Sequence, residues 1–175
     1  PVFKTIAYFP VDSIPRKSAV QYLDELDEII TYTQYGKDVL SGMLPEGTIK
    51  KLQIMPHGCD MQAFRKLPED IVLNHKEKLF GKGKFVFGTV NRNSARKDVA
   101  TLIRSFAAFK KSSDKYDNAV LYLHMDPHDP AGINIFNVCE SLGLVFEKDY
   151  FLPKPEKFNI NNGYSEEELN MVYNC

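Results

Sequence analysis

The sequence contains no tryptophan, only three cysteines and no long apolar run. A membrane-spanning helix needs about 20 consecutive apolar residues, so we expect no transmembrane segment. The cysteines (Cys59, Cys139 and Cys175) are odd in number and form no CxxC pair. This pattern favours reduced thiols in a cytoplasmic protein over a disulfide framework. Any peripheral membrane contact is expected to come from parts outside this chain.

An excess of charge of either sign is also missing. The 22 lysine and arginine residues nearly balance 23 aspartate and glutamate residues, for a net charge of −1. No overall basic field attracts a nucleic-acid backbone, so we expect no nucleic-acid partner. The length of 175 residues, 43% of them hydrophobic, fits a globular protein of one or two small domains.

Both ends of the chain have the character of cut ends. The sequence starts at Pro1 and stops at Cys175 directly after a helix pattern. An N-terminal proline is the catalytic amine of tautomerases, but those are small chains built on another repeat. We therefore expect this chain to be a piece of a longer polypeptide.

Strand-like and helix-like patterns alternate along the sequence. The predicted strands are residues 3–9, 28–33, 51–55, 84–90, 119–124 and 150–152. The predicted helices are residues 17–26, 34–40, 98–111, 133–142 and 165–173, the last opened by a capping box at Ser165. Residues 155–163 are expected to form a long loop. The alternation predicts an α/β fold with Rossmann-like, doubly wound parallel sheets, because βαβ crossovers are right-handed.

The stretch FVFGTVNRNSARK, residues 85–97, joins an apolar strand to a basic loop just before a helix. A helix N-terminus attracts anions through its free N–H groups and its dipole. Arg92 and Lys97 add positive charge there, and Arg96 competes with Lys97 as the second cation. In doubly wound sheets ligands bind at the carboxyl ends of the strands. The stretch therefore predicts a diphosphate site for a nucleotide-type ligand; the alternative is a loop of solvated cations.

Four segments of the chain resemble one enzyme family in content and in order. They are EIITYTQYGKDVL, IMPHGCDMQAF, FGTVNRNSARKDVATLIRSFAAF and YSEEELNMVYNC. The family is the retaining glycosyltransferases of GT-B architecture, family 4, also called glycosyl transferases group 1. The second segment resembles the family's PxGvDxxxF motif, and the fourth resembles the helix that leads into its acidic donor-site motif.

The resemblance implies a partial, two-domain GT-B fragment. Residues 1–58 would be the end of the N-terminal, acceptor-side domain, residues 59–82 a connector with one short helix, and residues 83–175 the first part of the nucleotide-sugar-binding domain. The implied reaction moves a hexose from a UDP- or GDP-linked donor to a hydroxyl of a glycan, lipid or protein, with retention at the anomeric carbon. The nucleotide sugar is then a substrate, and no permanent cofactor or metal is expected.

The resemblance also assigns residues to the donor. Arg92 and Lys97 match the family's diphosphate-binding cations, which neutralise the leaving group as the glycosyl bond breaks, and they are the predicted catalytic residues. Asn91 stands where the family usually has glycine and belongs to the predicted donor-binding set. Leu152 and Pro153 match the neighbourhood that holds the nucleobase, where main-chain groups are expected to read the base edge.

Other family features lie outside this sequence. The two glutamates seven residues apart that contact the donor sugar and ribose would follow Cys175, and the glycine-rich loop and active-site histidine would precede Pro1. The fragment is therefore expected to be inactive alone. A second hypothesis is a Rossmann-like module without catalysis, which uses the same basic loop for a phosphate-bearing ligand or a partner protein.

Several polar residues outside these segments have two readings. Residues 124–129, HMDPHD, contain two histidines and two aspartates, which are metal-ligand types. We expect a turn whose polar groups cap the next helix rather than a metal site. Near the domain crossing, His57 is expected to be structural, and Cys59 is not expected to be a nucleophile because no base is identifiable beside it. Tyr164 and Lys154 are expected near the nucleobase, Tyr164 either stacking on it or packing the last helix.

Overall fold

The computed structural model describes residues 3–157 and 162–175, so residues 1–2 and residues 158–161 of the predicted loop lie outside the described part. The chain divides into two compact units, Pro1–Cys59 and Asp60–Cys175. Each unit contains its own three-stranded sheet, and every strand pair is parallel. The predicted α/β class with parallel sheets is confirmed. Within the described residues, no helix combines the length and the apolar character that crossing a membrane requires.

The first unit places three short helices around a sheet of order β1-β2-β3. Its elements are β1 (Ile6–Phe9), α1 (Lys17–Val20), β2 (Glu28–Thr31), α2 (Gln34–Ser41), α3 (Glu46–Ile49) and β3 (Leu52–Ile54). Its core consists of four buried residues, Val20, Ile29, Leu40 and Leu52. Strand register pairs Ile29 with Leu52, which brings two of these core side chains together at the centre of the unit.

The helix predicted over residues 17–26 is shorter than expected. It ends at Val20 and is followed by a 3-10 turn at Leu23–Glu25. The Lys51 ammonium donates to the carbonyl oxygens of Asp24 and Leu26, at 2.8 and 2.7 Å. These carbonyls therefore bind the side chain of the residue before β3 instead of continuing a helix, and β2 begins at Glu28.

The second unit has a sheet of order β4-β5-β6. Its elements are α4 (Glu69–Phe80), β4 (Phe85–Val90), α5 (Val99–Lys111), β5 (Ala119–His124), α6 (Ile135–Ser141), β6 (Tyr150–Phe151) and α7 (Glu166–Asn174). The helix α4 packs within this unit, because the Phe80 ring meets Tyr122 and Phe151 edge-on at 5.5 and 5.2 Å.

Strand β5 is covered on both faces, as its nearly continuous apolar run predicts. Successive side chains of a strand point to opposite faces. Leu121 and Leu123 belong to a core with Ile103 of α5 and Ile135 of α6. Tyr122 belongs to a separate core beside α4 and α7. The two cores make this sheet doubly wound.

Helix ends in the second unit follow local sequence signals. Ser165 and Glu168 form the predicted capping box of α7, and Gly143 has the positive φ, 76°, that suits the residue after a helix. The prediction for residues 124–129 is wrong in one respect. The cap of α6 is Asn134, whose side chain accepts from the Asn137 N–H at 3.0 Å, because the turn delays the helix until after Gly132.

Candidate functional site

The loops after β4 and β5 start side by side at the carboxyl edge of the second sheet. Val90 pairs with His124 in the last register position. The Asn91 N–H donates to the His124 carbonyl at 3.3 Å. The Asn91 amide group donates to the Thr89 hydroxyl at 2.8 Å, so this side chain is held by β4. The structure thus places predicted site residue Asn91 at the exit of the strand, with its backbone tied to β5.

The loop continues through a 3-10 turn at Ala95–Lys97 and enters α5 at Asp98. Asp98 adopts the left-handed conformation, with φ 45°, and its carboxylate accepts from the Thr101 N–H at 3.3 Å. The Asp98 carboxylate therefore already caps α5. Binding of a phosphate at this helix end would rely on the side chains of the loop. Lys97 is exposed and forms no ion pair within the described residues.

A buried asparagine fastens this loop to the loop after β5. Asn93 is 1% exposed. Its amide nitrogen donates to the Ile133 carbonyl at 2.8 Å, and its oxygen accepts from the Ile133 N–H at 3.1 Å. Gly132 lies so close to the Asn93 side chain that a Cβ atom there would overlap it. Glycine at 132 therefore permits the approach, and Asn93 satisfies both backbone groups of its neighbour.

Arg92 makes a second link between the two loops. Its Nε and Nη2 atoms donate to the Asp129 carboxylate at 2.6 and 3.1 Å. Oδ1 of Asp129 also accepts from the Ala131 N–H at 2.9 Å. Hydrogen bonds from Arg92 and Ala131 lower the pKa of Asp129, and the carboxylate in turn raises the pKa of Arg92. Both groups are charged at neutral pH.

A cleft of about 480 Å³ lies beside β5 and the segment after β6. Its lining includes Tyr122, Leu152, Lys154 and Tyr164. Predicted site residue Leu152 thus faces the cleft, and Pro153 is buried and is not among the lining residues. The end of α4 lines the cleft as well, and the charged lining residues are Lys78, Glu147 and Lys154. Aromatic and aliphatic surface with a few polar groups suits a planar ring.

Tyr122 and His124 connect the cleft to the end of β5. The Tyr122 hydroxyl lies 2.9 Å from Nδ1 of His124, and the Tyr164 ring meets the imidazole edge-on at 4.6 Å. Burial lowers the pKa of His124, and burial raises the pKa of Tyr122. Both side chains are consequently neutral at pH 7 and contribute hydrogen-bonding groups rather than charge.

The predicted site residues therefore fall into two groups. Asn91, Arg92 and Lys97 share the loop after β4, and Leu152 follows β6. The strands that precede the two groups, β4 and β6, lie on either side of β5, so these strands are two strand spacings, about 10 Å, apart. A nucleoside diphosphate has this kind of layout, with a ring at one end and negative charge at the other.

Sequence reasoning did not identify Asp129, Asn93 or Tyr122 as site residues. A usable signal exists for Asp129, because it follows the strand next to the one that precedes Arg92, and loops after adjacent parallel strands meet. Within the described residues, no three side chains of metal-ligand type form a cluster. Asp126 accepts from the His128 N–H at 2.8 Å, so the carboxylates of residues 124–129 serve the turn.

In the first unit, His57 contacts two tyrosines. Its ring lies 3.9 Å from the Tyr32 ring centroid, and its Nδ1 atom lies 3.2 Å from the Tyr8 hydroxyl. These contacts are local packing after β3. All three cysteines are free, and Cys59 is exposed.

Comparison with known proteins adds a fold likeness. No protein-family model matches the sequence, and no curated protein matches it. Among solved structures, the chain is similar to Alr3699/HepE of Anabaena, whose crystal structure is a complex with UDP and glucose. The TM-score is 0.64 at 14% sequence identity, over 96% of this chain. The match covers 44% of the HepE chain, so this chain spans less than half of that protein's length. The likeness shows that the α/β architecture of this chain resembles the fold of part of the HepE structure.

The two hydrogen bonds between Asn93 and the backbone of Ile133 lead to a prediction about stability. Asn93→Ala leaves the Ile133 N–H and carbonyl without their partner, and we expect a loss of about 1–3 kcal/mol in the free energy of unfolding. Chemical denaturation measures this loss. Asn74→Ala, at an exposed position of α4, is the matched control and is expected to change stability little. Equal effects of the two substitutions would show that Asn93 does not hold the loops.

The His124 environment makes a prediction on pH. Because burial lowers its pKa in the folded chain, NMR titration should give a midpoint below the ordinary value of about 6.5. The unfolded chain then takes up the proton first, so this histidine's share of stability is complete above about pH 6.5 and falls as pH drops towards the folded-state pKa. His124→Gln should remove that share. A midpoint at or above the ordinary value contradicts the assignment.

Proposed function

We propose that this chain is part of a nucleotide-sugar-dependent glycosyltransferase and carries the part of its donor site that binds the diphosphate and the base. The observation that supports this best is that one parallel sheet carries both a basic loop, after β4, and an aromatic cleft, which includes Leu152 directly after β6. The likeness to a fold whose crystal structure holds UDP and glucose supports the same donor class.

In the proposed binding mode, Arg92 and Lys97 hold the diphosphate and the cleft beside Leu152 holds the base. In this mode main-chain groups near Leu152 and Pro153 read the base edge, and Pro153, whose side chain is buried outside the cleft lining, contributes only its carbonyl. The neutral His124 lies between the two groups and is available to donate or accept a hydrogen bond. UDP and GDP are the proposed nucleotides.

The proposed reaction transfers a hexose to a hydroxyl of a glycan, lipid or protein with retention of anomeric configuration, as in family 4 enzymes. As the bond from the anomeric carbon to the diphosphate oxygen breaks, negative charge grows on that oxygen. Arg92 and Lys97 stabilise this charge because cations fixed beforehand need no reorganisation during the reaction. The chain itself supplies these charges, so this part of the chemistry follows from residues present here.

The domain assignment belongs to the same proposal. Residues 1–58 would be the end of the acceptor-side domain, residues 59–82 would lead across, and residues 83–175 would begin the donor-side domain. The division of the chain after Cys59 supports a crossing there.

The first test of the proposed function is at the two cations. Arg92→Ala and Lys97→Ala in the full-length protein should each weaken UDP or GDP binding roughly tenfold or more, since each removes charge-assisted hydrogen bonds to phosphate. Calorimetry or fluorescence titration measures the affinity. Arg104→Ala, at an exposed cation of α5, is the matched control.

Arg96→Ala addresses the competing choice for the second cation. If it weakens binding and Lys97→Ala does not, Arg96 replaces Lys97 in the proposal. Unchanged affinity in all three variants refutes the proposal that this loop binds the diphosphate. Tight nucleotide binding by a full-length protein that transfers no sugar favours the non-catalytic alternative.

The second test separates base from diphosphate. Leu152→Trp fills part of the cleft, so UDP or GDP binding should weaken at least about tenfold, whereas pyrophosphate binding should stay the same. Leu73→Trp, at an exposed leucine of α4, controls for the added indole. If pyrophosphate and the nucleotides weaken equally, the cleft does not hold the base.

A further inference from the structure

Arg92 presents two different edges, and only one of them is in use. The Nε and Nη2 atoms form a fork that binds both oxygens of Asp129. Nη1 and the outer N–H of Nη2 form a second fork, which has no partner among the described residues. The Arg92 side chain is 67% exposed and that of Asp129 only 11%. The occupied edge therefore faces protein, and the second fork is open to solvent.

The carboxylate that holds Arg92 is itself fixed. Oδ1 of Asp129 accepts from the Ala131 N–H at 2.9 Å, and the Gly132 N–H closes the turn on the Asp129 carbonyl at 2.9 Å. Asn93, next to Arg92 in sequence, binds both backbone groups of Ile133. The Arg92–Asp129 ion pair and the Asn93–Ile133 hydrogen bonds thus join the same two loops at two points. An ordinary surface ion pair lacks such support and orders its side chains little.

From this geometry we infer that Asp129 is a positioning residue, which holds the Arg92 guanidinium so that its second fork points at the donor diphosphate. The inference rests on the proposed function, because it needs a diphosphate ligand at Arg92. Arginine binds phosphate best through two parallel N–H groups. A side chain already ordered by Asp129 loses less conformational freedom when the phosphate arrives.

The opposite arrangement predicts the opposite result. If Asp129 competed with the diphosphate for Arg92, the ligand would have to displace it from the Nε–Nη2 edge. Removing the carboxylate would then increase affinity. Because the second fork is open while Asp129 stays bound, positioning requires no displacement, and removing the carboxylate should decrease affinity.

Asp129→Asn is the sharpest variant. Its remaining oxygen can still accept from the Ala131 N–H and from Nη2 of Arg92. The amide nitrogen that replaces Oδ2 can no longer accept from Nε of Arg92, and the negative charge is lost. We expect the full-length protein to lose at least about threefold in affinity for UDP, GDP and pyrophosphate. Uridine and guanosine, which lack phosphate, should bind as before. Asp129→Glu, which keeps the charge, should recover part of the loss.

A double-mutant cycle separates positioning from a merely structural role. In the Arg92→Ala background, Asp129→Asn should have no further effect on diphosphate affinity, because Asp129 acts through Arg92. The Nε–H proton of Arg92, observed by ¹H–¹⁵N NMR, should exchange slowly with solvent in the unaltered protein and quickly in Asp129→Asn. This signal reports the ion pair without any ligand.

The outcomes distinguish the inference from the proposed function. If Arg92→Ala weakens diphosphate binding and Asp129→Asn leaves it unchanged or strengthens it, the inference about Asp129 is wrong. The proposal that Arg92 binds the diphosphate is then still supported. An equal loss from Asp129→Asn with and without Arg92 also overturns it. If the unaltered protein binds none of UDP, GDP and pyrophosphate, both the proposed function and the inference fail.

Discussion

The second unit depends on one strand that is buried on both faces. Side chains of β5 alternate between a core shared with α5 and α6 and a core shared with α4 and α7. The same strand pairs with β4 on one side and with β6 on the other. Apolar burial on two faces and hydrogen bonding on two edges hold β5 between its neighbours, in a register that places Val90 opposite His124. That register fixes which loops meet at the carboxyl edge, and the candidate site follows from it.

At that edge, polar groups are arranged by backbone needs before any ligand is considered. Asn93 satisfies both backbone groups of Ile133, Asp98 caps α5, and Asp129 accepts from its own turn. These contacts order two loops that otherwise hold few apolar residues. The ordered loops keep Arg92 in one orientation, with one edge bound and the other open. Structural hydrogen bonds thereby give the basic loop a defined shape, which a set of solvated cations does not have.

Local sequence patterns predicted much of the fold. The bounds of β5 agree with the apolar run 119–124, and the capping box at Ser165 opens α7 as predicted. These features depend on neighbours close in sequence. The helix predicted over 17–26 is wrong in its second half because Lys51, distant in sequence, binds the Asp24 and Leu26 carbonyls. The predicted cap of α6, within residues 124–129, is wrong for a similar reason. Ile133, just before the helix, is bound by Asn93 from another loop, and the cap is Asn134.

The sequence by itself determined the α/β alternation, the parallel sheets and the presence of a basic loop after β4, since these follow from periodicity, burial and charge in short segments. The roles proposed for Arg92, Lys97 and Leu152 also began there. Only the tertiary structure decided that Arg92 is bound by Asp129, that Leu152 borders a cleft with Tyr122, and that α5 carries its own aspartate cap. Such contacts join residues that lie up to tens of positions apart, and the packing and register of β5 bring them together.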